Sequence, residues 1–90
     1  MLPTDREPTP PGQILKFYLN DLEITQARLA AHLGWSQPKI NEIIRGKRGI
    51  TPETAVALAD ALGTTPDLWL NAQRQYDLWH ALQQYEPRGK

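Results

Sequence analysis

Ninety residues with ten Lys or Arg, ten Asp or Glu and no cysteine make a chain of zero formal net charge. That length allows one small domain with a modest core that a partner subunit often completes, and the lack of cysteine excludes disulfides and thiolate metal sites. No run approaches the ~20 apolar residues needed to span a bilayer, and MLPTDREPTPPG lacks the basic-then-apolar start of a signal peptide, so a soluble cytoplasmic chain with no membrane partner is expected.

Prolines at 3, 8, 10 and 11, mixed with Thr, Asp and Glu, cannot build a helix, and residues 1–10 read as a mobile or extended arm. A domain is expected over 11–86 and a tail over 87–90. From Pro11 onward the periodicity is helical throughout, with no alternating β-branched run. Pro11-Gly12 opens a first helix carrying Ile14, Leu15, Tyr18, Leu19 and Leu22. Thr25 caps a second, with Leu29, Ala30 and Leu33, and Gly34 suits its exit. Ser36 caps a third, with Ile40, Ile43 and Ile44, which Gly46 ends. Thr51-Pro52-Glu53 starts a fourth, with Ala55, Val56, Leu58, Ala59 and Leu62, stopping at Gly63. Thr65-Pro66-Asp67 repeats that start for a fifth, whose pattern runs through Trp69, Tyr76, Trp79 and Leu82 and frays towards Pro87.

The second and third helices are joined by a short turn containing Gly34, the spacing of a helix-turn-helix unit. On the third helix the isoleucines gather on one face, leaving Pro38, Asn41, Glu42 and Arg45 opposite, with Gln37 and Lys39 on the flanks. Such a face suits the major groove of double-stranded DNA, where Gln and Asn pair with adenine, Lys and Arg with guanine, and Glu accepts from cytosine N4. Pro38, in the first turn, lacks only a donor that has no intrahelical partner, so it stiffens the helix start at little cost. Arg45, Lys47 and Arg48 stand where phosphates would pass, and Gln26 and Ser36, at the starts of the second and third helices, join the candidate DNA contacts. Glu42 also reads as a partner for Arg45 or Lys39. Between Thr25 and Ile50 the cations Arg28, Lys39, Arg45, Lys47 and Arg48 face only Glu42.

Thr25-Gln26-Ala27-Arg28-Leu29-Ala30, Leu33-Gly34-Trp35-Ser36-Gln37 and the run from Ile40 to Thr51 resemble the phage-repressor-like (XRE, Cro/C1-type) helix-turn-helix family. Through Ala61-Leu62-Gly63-Thr64, Trp69-Leu70-Asn71 and Gln75-Tyr76-Asp77-Leu78-Trp79 the likeness extends to HigA-type antitoxins. The resemblance implies an all-α, five-helix domain, a homodimer, repression of its own operon at a palindromic operator, and neutralisation of a HigB toxin, a RelE-like ribonuclease that cuts messenger RNA. It also implies operator-facing roles for Gln26, Gln37, Pro38, Lys39, Asn41 and Glu42, and phosphate contacts for Lys47 and Arg48. The chain departs from the family in carrying Pro10-Pro11-Gly12-Gln13 where His-Pro-Gly-Glu is usual.

Trp69, Tyr76, Trp79 and Leu82 are the candidate dimer interface, although Trp69 also reads as closing the monomer core. By analogy, toxin contact is assigned to Gln13, Lys16 and Phe17. No cofactor or metal is called for, His32 and His80 reading as surface histidines. A free-standing regulator of the same fold remains the alternative; an enzyme has no phosphate-binding loop, zinc-protease motif or thiol nucleophile to support it.

Overall fold

Four of the five helices begin at a hydroxyl. In the computed structural model, which describes residues 6–87, the helices are α1 Pro11–Asp21, α2 Gln26–Leu33, α3 Gln37–Ile44, α4 Pro52–Leu62 and α5 Pro66–Gln84. Thr25, Ser36, Thr51 and Thr65 each accept a hydrogen bond from the main-chain N–H three residues on, an arrangement that stabilises a helix start by about 1 kcal/mol over alanine. No strand occurs among the described residues, so the all-α, five-helix expectation holds.

α1 starts differently. Pro10 precedes it without a side-chain cap, and its first turn instead abuts the last turn of α3, where a Cβ on Gly12 would lie 2.3 Å from the Ile43 carbonyl oxygen. Only glycine permits that approach, and it sets the positive end of α1 on the negative end of α3. The exit of α1 is a left-handed turn at Glu23, φ 56°, closed by the Ile24 N–H donating to the Leu19 carbonyl at 2.8 Å.

The core joins Leu15 and Leu19 of α1, Leu29 and Ala30 of α2, Ile40 and Ile43 of α3, Ile50, the α4 stripe Ala55–Leu58–Ala59–Leu62 and Trp69. Full burial of a leucine or isoleucine in this set contributes about 1.5–3 kcal/mol. Two residues expected in the helical pattern lie outside it: Val56 is 58% exposed and Leu22 is 44% exposed. Val56 sits one position off the i, i+3, i+4 stripe of α4, and Leu22 falls at the exit of α1, past its last full turn.

Trp69 is wholly buried, with its indole N–H donating to Thr64 Oγ1 at 2.8 Å. It therefore has no surface to offer a second subunit, which corrects its placement in the dimer interface. It is also the only buried residue of α5. At 1.5 Å per residue that helix is about 28 Å long, so most of it runs past the core.

The described part of the arm, residues 6–10, forms neither helix nor strand and lies against α5. Glu7 hydrogen-bonds His80, while Pro8 and Thr9 border a shallow cleft with Ile14, Leu68 and Ala72. The expectations for residues 1–5 of the arm and 88–90 of the tail fall outside the described residues.

Candidate nucleic-acid interface

The turn between α2 and α3 is three residues long, 34–36. Gly34 takes the left-handed conformation, φ 72°, and the Trp35 N–H reaches back to the Ala30 carbonyl at 2.9 Å, closing α2 as glycine-ended helices commonly close. With Ile40 and Ile43 buried, the opposite side of α3 faces outward.

On that side Gln37 and Pro38 are exposed, while Asn41 and Glu42 are half-buried. Gln26, the first residue of α2, stands beside them: Asn41 Nδ2 donates to Gln26 Oε1 at 3.3 Å. Gln26, Gln37, Pro38 and Asn41 together border one open concavity. The bond fixes the orientation of the Asn41 amide and leaves its carbonyl oxygen and second N–H for a partner. Adenine presents the matching acceptor and donor at N7 and N6.

Ser36 is exposed, and its hydroxyl oxygen already accepts from the Lys39 N–H at 3.3 Å. Lys39 is drawn to the turn, its Nζ 3.9 Å from the centroid of the Trp35 ring, which places a cation at the N-terminal edge of the face. Arg45 ends α3, and it and Lys47 are exposed.

Glu42 pairs with Arg48, not with the Arg45 or Lys39 that the sequence suggests. Its Oε1 accepts from Arg48 Nε at 3.1 Å and Nη2 at 2.8 Å. Its main-chain carbonyl also accepts from the N–H groups of Lys47 and Arg48, at 2.8 and 3.3 Å. The loop after α3 is thus folded back over the last turn of the helix. Its far end is tied to α5, where Gln73 Oε1 accepts from the Ile50 N–H at 2.8 Å and Gln73 Nε2 donates to Asp77 Oδ1 at 2.9 Å.

The candidate residues elsewhere divide by element. Gln13, Lys16 and Phe17 are exposed on α1 at i, i+3 and i+4, with Phe17 63% exposed and its ring edge-on to Tyr18. Tyr76 and Trp79 are half-buried and flank the His80 ring at centroid distances of 4.4 and 5.1 Å. His80, expected as a plain surface residue, is therefore the centre of a ring cluster. Leu82 is 45% exposed and shares a stripe with Leu78 and Tyr85, 53% and 64% exposed, at i, i+4 and i+7. Leu78 and Tyr85 are absent from the interface expected from the sequence, although that spacing marks them. Among the described residues no cluster of three His, Asp or Glu side chains could hold a metal ion, and no helix is long and apolar enough to cross a membrane.

Comparison with known proteins places this geometry. The helix-turn-helix family profile matches residues 15–69. Antitoxin HigA-1 of Vibrio cholerae serotype O1 is 36% identical, over the whole of this chain and 86% of its own length. The Pseudomonas aeruginosa antitoxin HigA, solved with the higBA promoter, superposes with a TM-score of 0.79 at 33% identity, over 91% of this chain and 99% of that one. The Pseudomonas aeruginosa protein PA4674, solved with an 18-base-pair operator DNA, gives a TM-score of 0.83 at 34% identity over 89% and 87%.

Proposed function

Because this chain belongs to the helix-turn-helix family, and within it to the HigA antitoxins, we propose that it is the antitoxin of a toxin–antitoxin pair and represses its own operon as a cytoplasmic, non-enzymatic DNA-binding dimer. The observation that carries the reading is the amide-lined concavity of Gln26, Gln37, Pro38 and Asn41, beside a helix that carries Lys39 in its first turn and is followed at its exit by Arg45, Lys47 and Arg48. α3 enters the major groove, Gln37 and Asn41 read base edges, Pro38 touches a thymine methyl, and Ser36 donates its hydroxyl hydrogen to a phosphate. Lys47 and Arg45 neutralise phosphates as the chain leaves the groove.

A second copy of the chain meets it along α5. The stripe Leu78–Leu82–Tyr85 lies beyond the part of α5 that the core covers and offers the exposed apolar surface that a dimer buries; Trp79 borders it, and Tyr76 supports the helix from the domain side. Two α3 helices are thereby presented to successive major grooves about 34 Å apart. The toxin, a HigB-like ribonuclease, is met by the outer face of α1 through Gln13, Lys16 and Phe17.

Two experiments test the proposal. Footprinting on the DNA upstream of its own gene should protect two half-sites one helical turn apart, and co-expression with the protein encoded beside it should restore growth that the neighbour alone arrests. Protection without rescue would leave a free-standing regulator, and rescue without protection would remove the repressor half of the reading.

A further inference from the structure

Glu42 is the only acid between Thr25 and Ile50, and both ends of the residue hold the same neighbour. Its carbonyl accepts the Arg48 N–H, which turns the loop back over α3, and its carboxylate accepts two guanidinium donors of Arg48. The carboxylate supplies what a DNA phosphate would supply to Arg48, an anionic oxygen facing two N–H groups. The side chains of Arg48 and Glu42 are 50% and 44% exposed, and an exposed pair of this kind is weak enough to exchange partners. Arg45 and Lys47 have no acidic partner among the described residues. Glu42 itself is the chain neighbour of Asn41, on the side of α3 opposite the buried Ile40 and Ile43.

We propose that Glu42 makes the phosphate contact of Arg48 conditional on base sequence. On a duplex that offers a base-edge donor, such as cytosine N4, the carboxylate turns to the base, and the guanidinium it releases takes a phosphate. The carboxylate then keeps a hydrogen-bond donor and the guanidinium an anionic partner. On any other duplex Arg48 stays with Glu42, because leaving would strand a carboxylate among the phosphates. A phosphate contact ordinarily strengthens binding to every sequence alike; this one is withheld until the base is right. The inference deepens the DNA-binding reading and rests on it.

The test compares the full chain on its own promoter duplex and on a random duplex of equal length across a salt series. Lys47→Ala should lower the slope of log affinity against log salt by about 0.9 on both duplexes. Arg48→Ala should lower the slope by the same amount on the promoter and leave the slope on the random duplex unchanged. Glu42→Gln should strengthen random binding by about two- to five-fold, narrow the ratio of promoter to random affinity, and make Arg48→Ala lower the random slope as well. Asp60→Asn, on an exposed position of α4, adds the same unit of charge and should leave the random slope insensitive to Arg48→Ala. Equal slope losses for Arg48→Ala on both duplexes, or an unchanged affinity ratio in Glu42→Gln, would overturn the inference while leaving DNA binding intact. A wild-type chain that binds neither duplex would overturn both.

Discussion

Replacing Gly12 by alanine tests the packing on which the interface stands. The added methyl would sit 2.3 Å from the Ile43 carbonyl oxygen, 2.5 Å from that of Ile44 and 2.8 Å from the Ile44 carbonyl carbon. All three are main-chain atoms, so no rotamer change relieves the clash. Ordinary contact begins at 3.4 Å, so α1 and α3 must part by about 1 Å, pulling Leu15 and Leu19 away from Ile40 and Ile43. Overpacking of this kind costs about 1–3 kcal/mol, and contact with main chain belongs at the upper end. Alanine returns roughly 0.5–1 kcal/mol through its better helix propensity, which leaves a net loss of about 2 kcal/mol. With a urea m-value of about 1 kcal/mol/M for a domain this small, the unfolding midpoint should fall by about 2 M. Circular dichroism at fixed protein concentration reads it, since dimerisation makes stability concentration-dependent. A variant that unfolds at or above the wild-type midpoint would refute the close approach of α1 to the end of α3.

Gln37→Ala and Asn41→Ala should each cost about 1–3 kcal/mol on the promoter duplex and little on random DNA, read by anisotropy titration. Gln26→Ala should lose less than Asn41→Ala, and combining the two should fall short of their sum, because one amide acts partly by orienting the other. Leu78→Glu and Leu82→Glu should give a helical monomer in sedimentation equilibrium; an unchanged dimer would move the interface away from the α5 stripe. Glu23→Gly should raise stability by about 0.5–1 kcal/mol, since it relieves a left-handed backbone that costs other residues energy; a lower midpoint in urea would show that the Glu23 side chain matters more than its φ.

What was legible in the sequence was local. Thr25, Ser36, Thr51 and Thr65 each bond a main-chain N–H three residues away, so their meaning lies within one helical turn, and Gly34 closes a turn whose partners are equally near. Ile40 and Ile43 announce their face by spacing alone. Val56 could have been excluded from the core on the same ground, since it lies about 100° around the helix from the centre of the Ala55–Leu58–Ala59–Leu62 stripe. The bonds that tune the interface span helix ends or whole elements. Arg48 reaches Glu42 only because the chain turns back after Gly46, a path that no periodicity encodes. Asn41 meets Gln26 across the helix-turn-helix unit, Gln73 meets Ile50 from α5, and Glu7 meets His80 from opposite ends of the chain. Trp69 was ambiguous for a related reason: its stripe continues through Tyr76, and the sequence does not say where along α5 the core stops.

Net charge zero suits a DNA-binding domain once its arrangement is considered. Glu53 and Asp60 lie on α4, Asp67 and Asp77 on α5, and Asp21 and Glu23 at the exit of α1, which leaves the unit formed by α2, α3 and the following loop rich in cations. A neutral chain lacks the long-range attraction that holds a basic protein to any duplex, so its affinity depends on contacts made within a screening length of about 8–10 Å. Pairing Arg48 with Glu42 pushes in the same direction by withdrawing a cation from indiscriminate use. Gln73 extends the consequence to assembly: it ties the loop bearing Lys47 and Arg48 to α5, the helix proposed to meet a second copy. The spacing of two recognition helices and the posture of their phosphate-facing loops then share a single rigid support. A dimer built on that support gains affinity chiefly where both half-sites match, and a low affinity for random DNA is what makes that gain decisive.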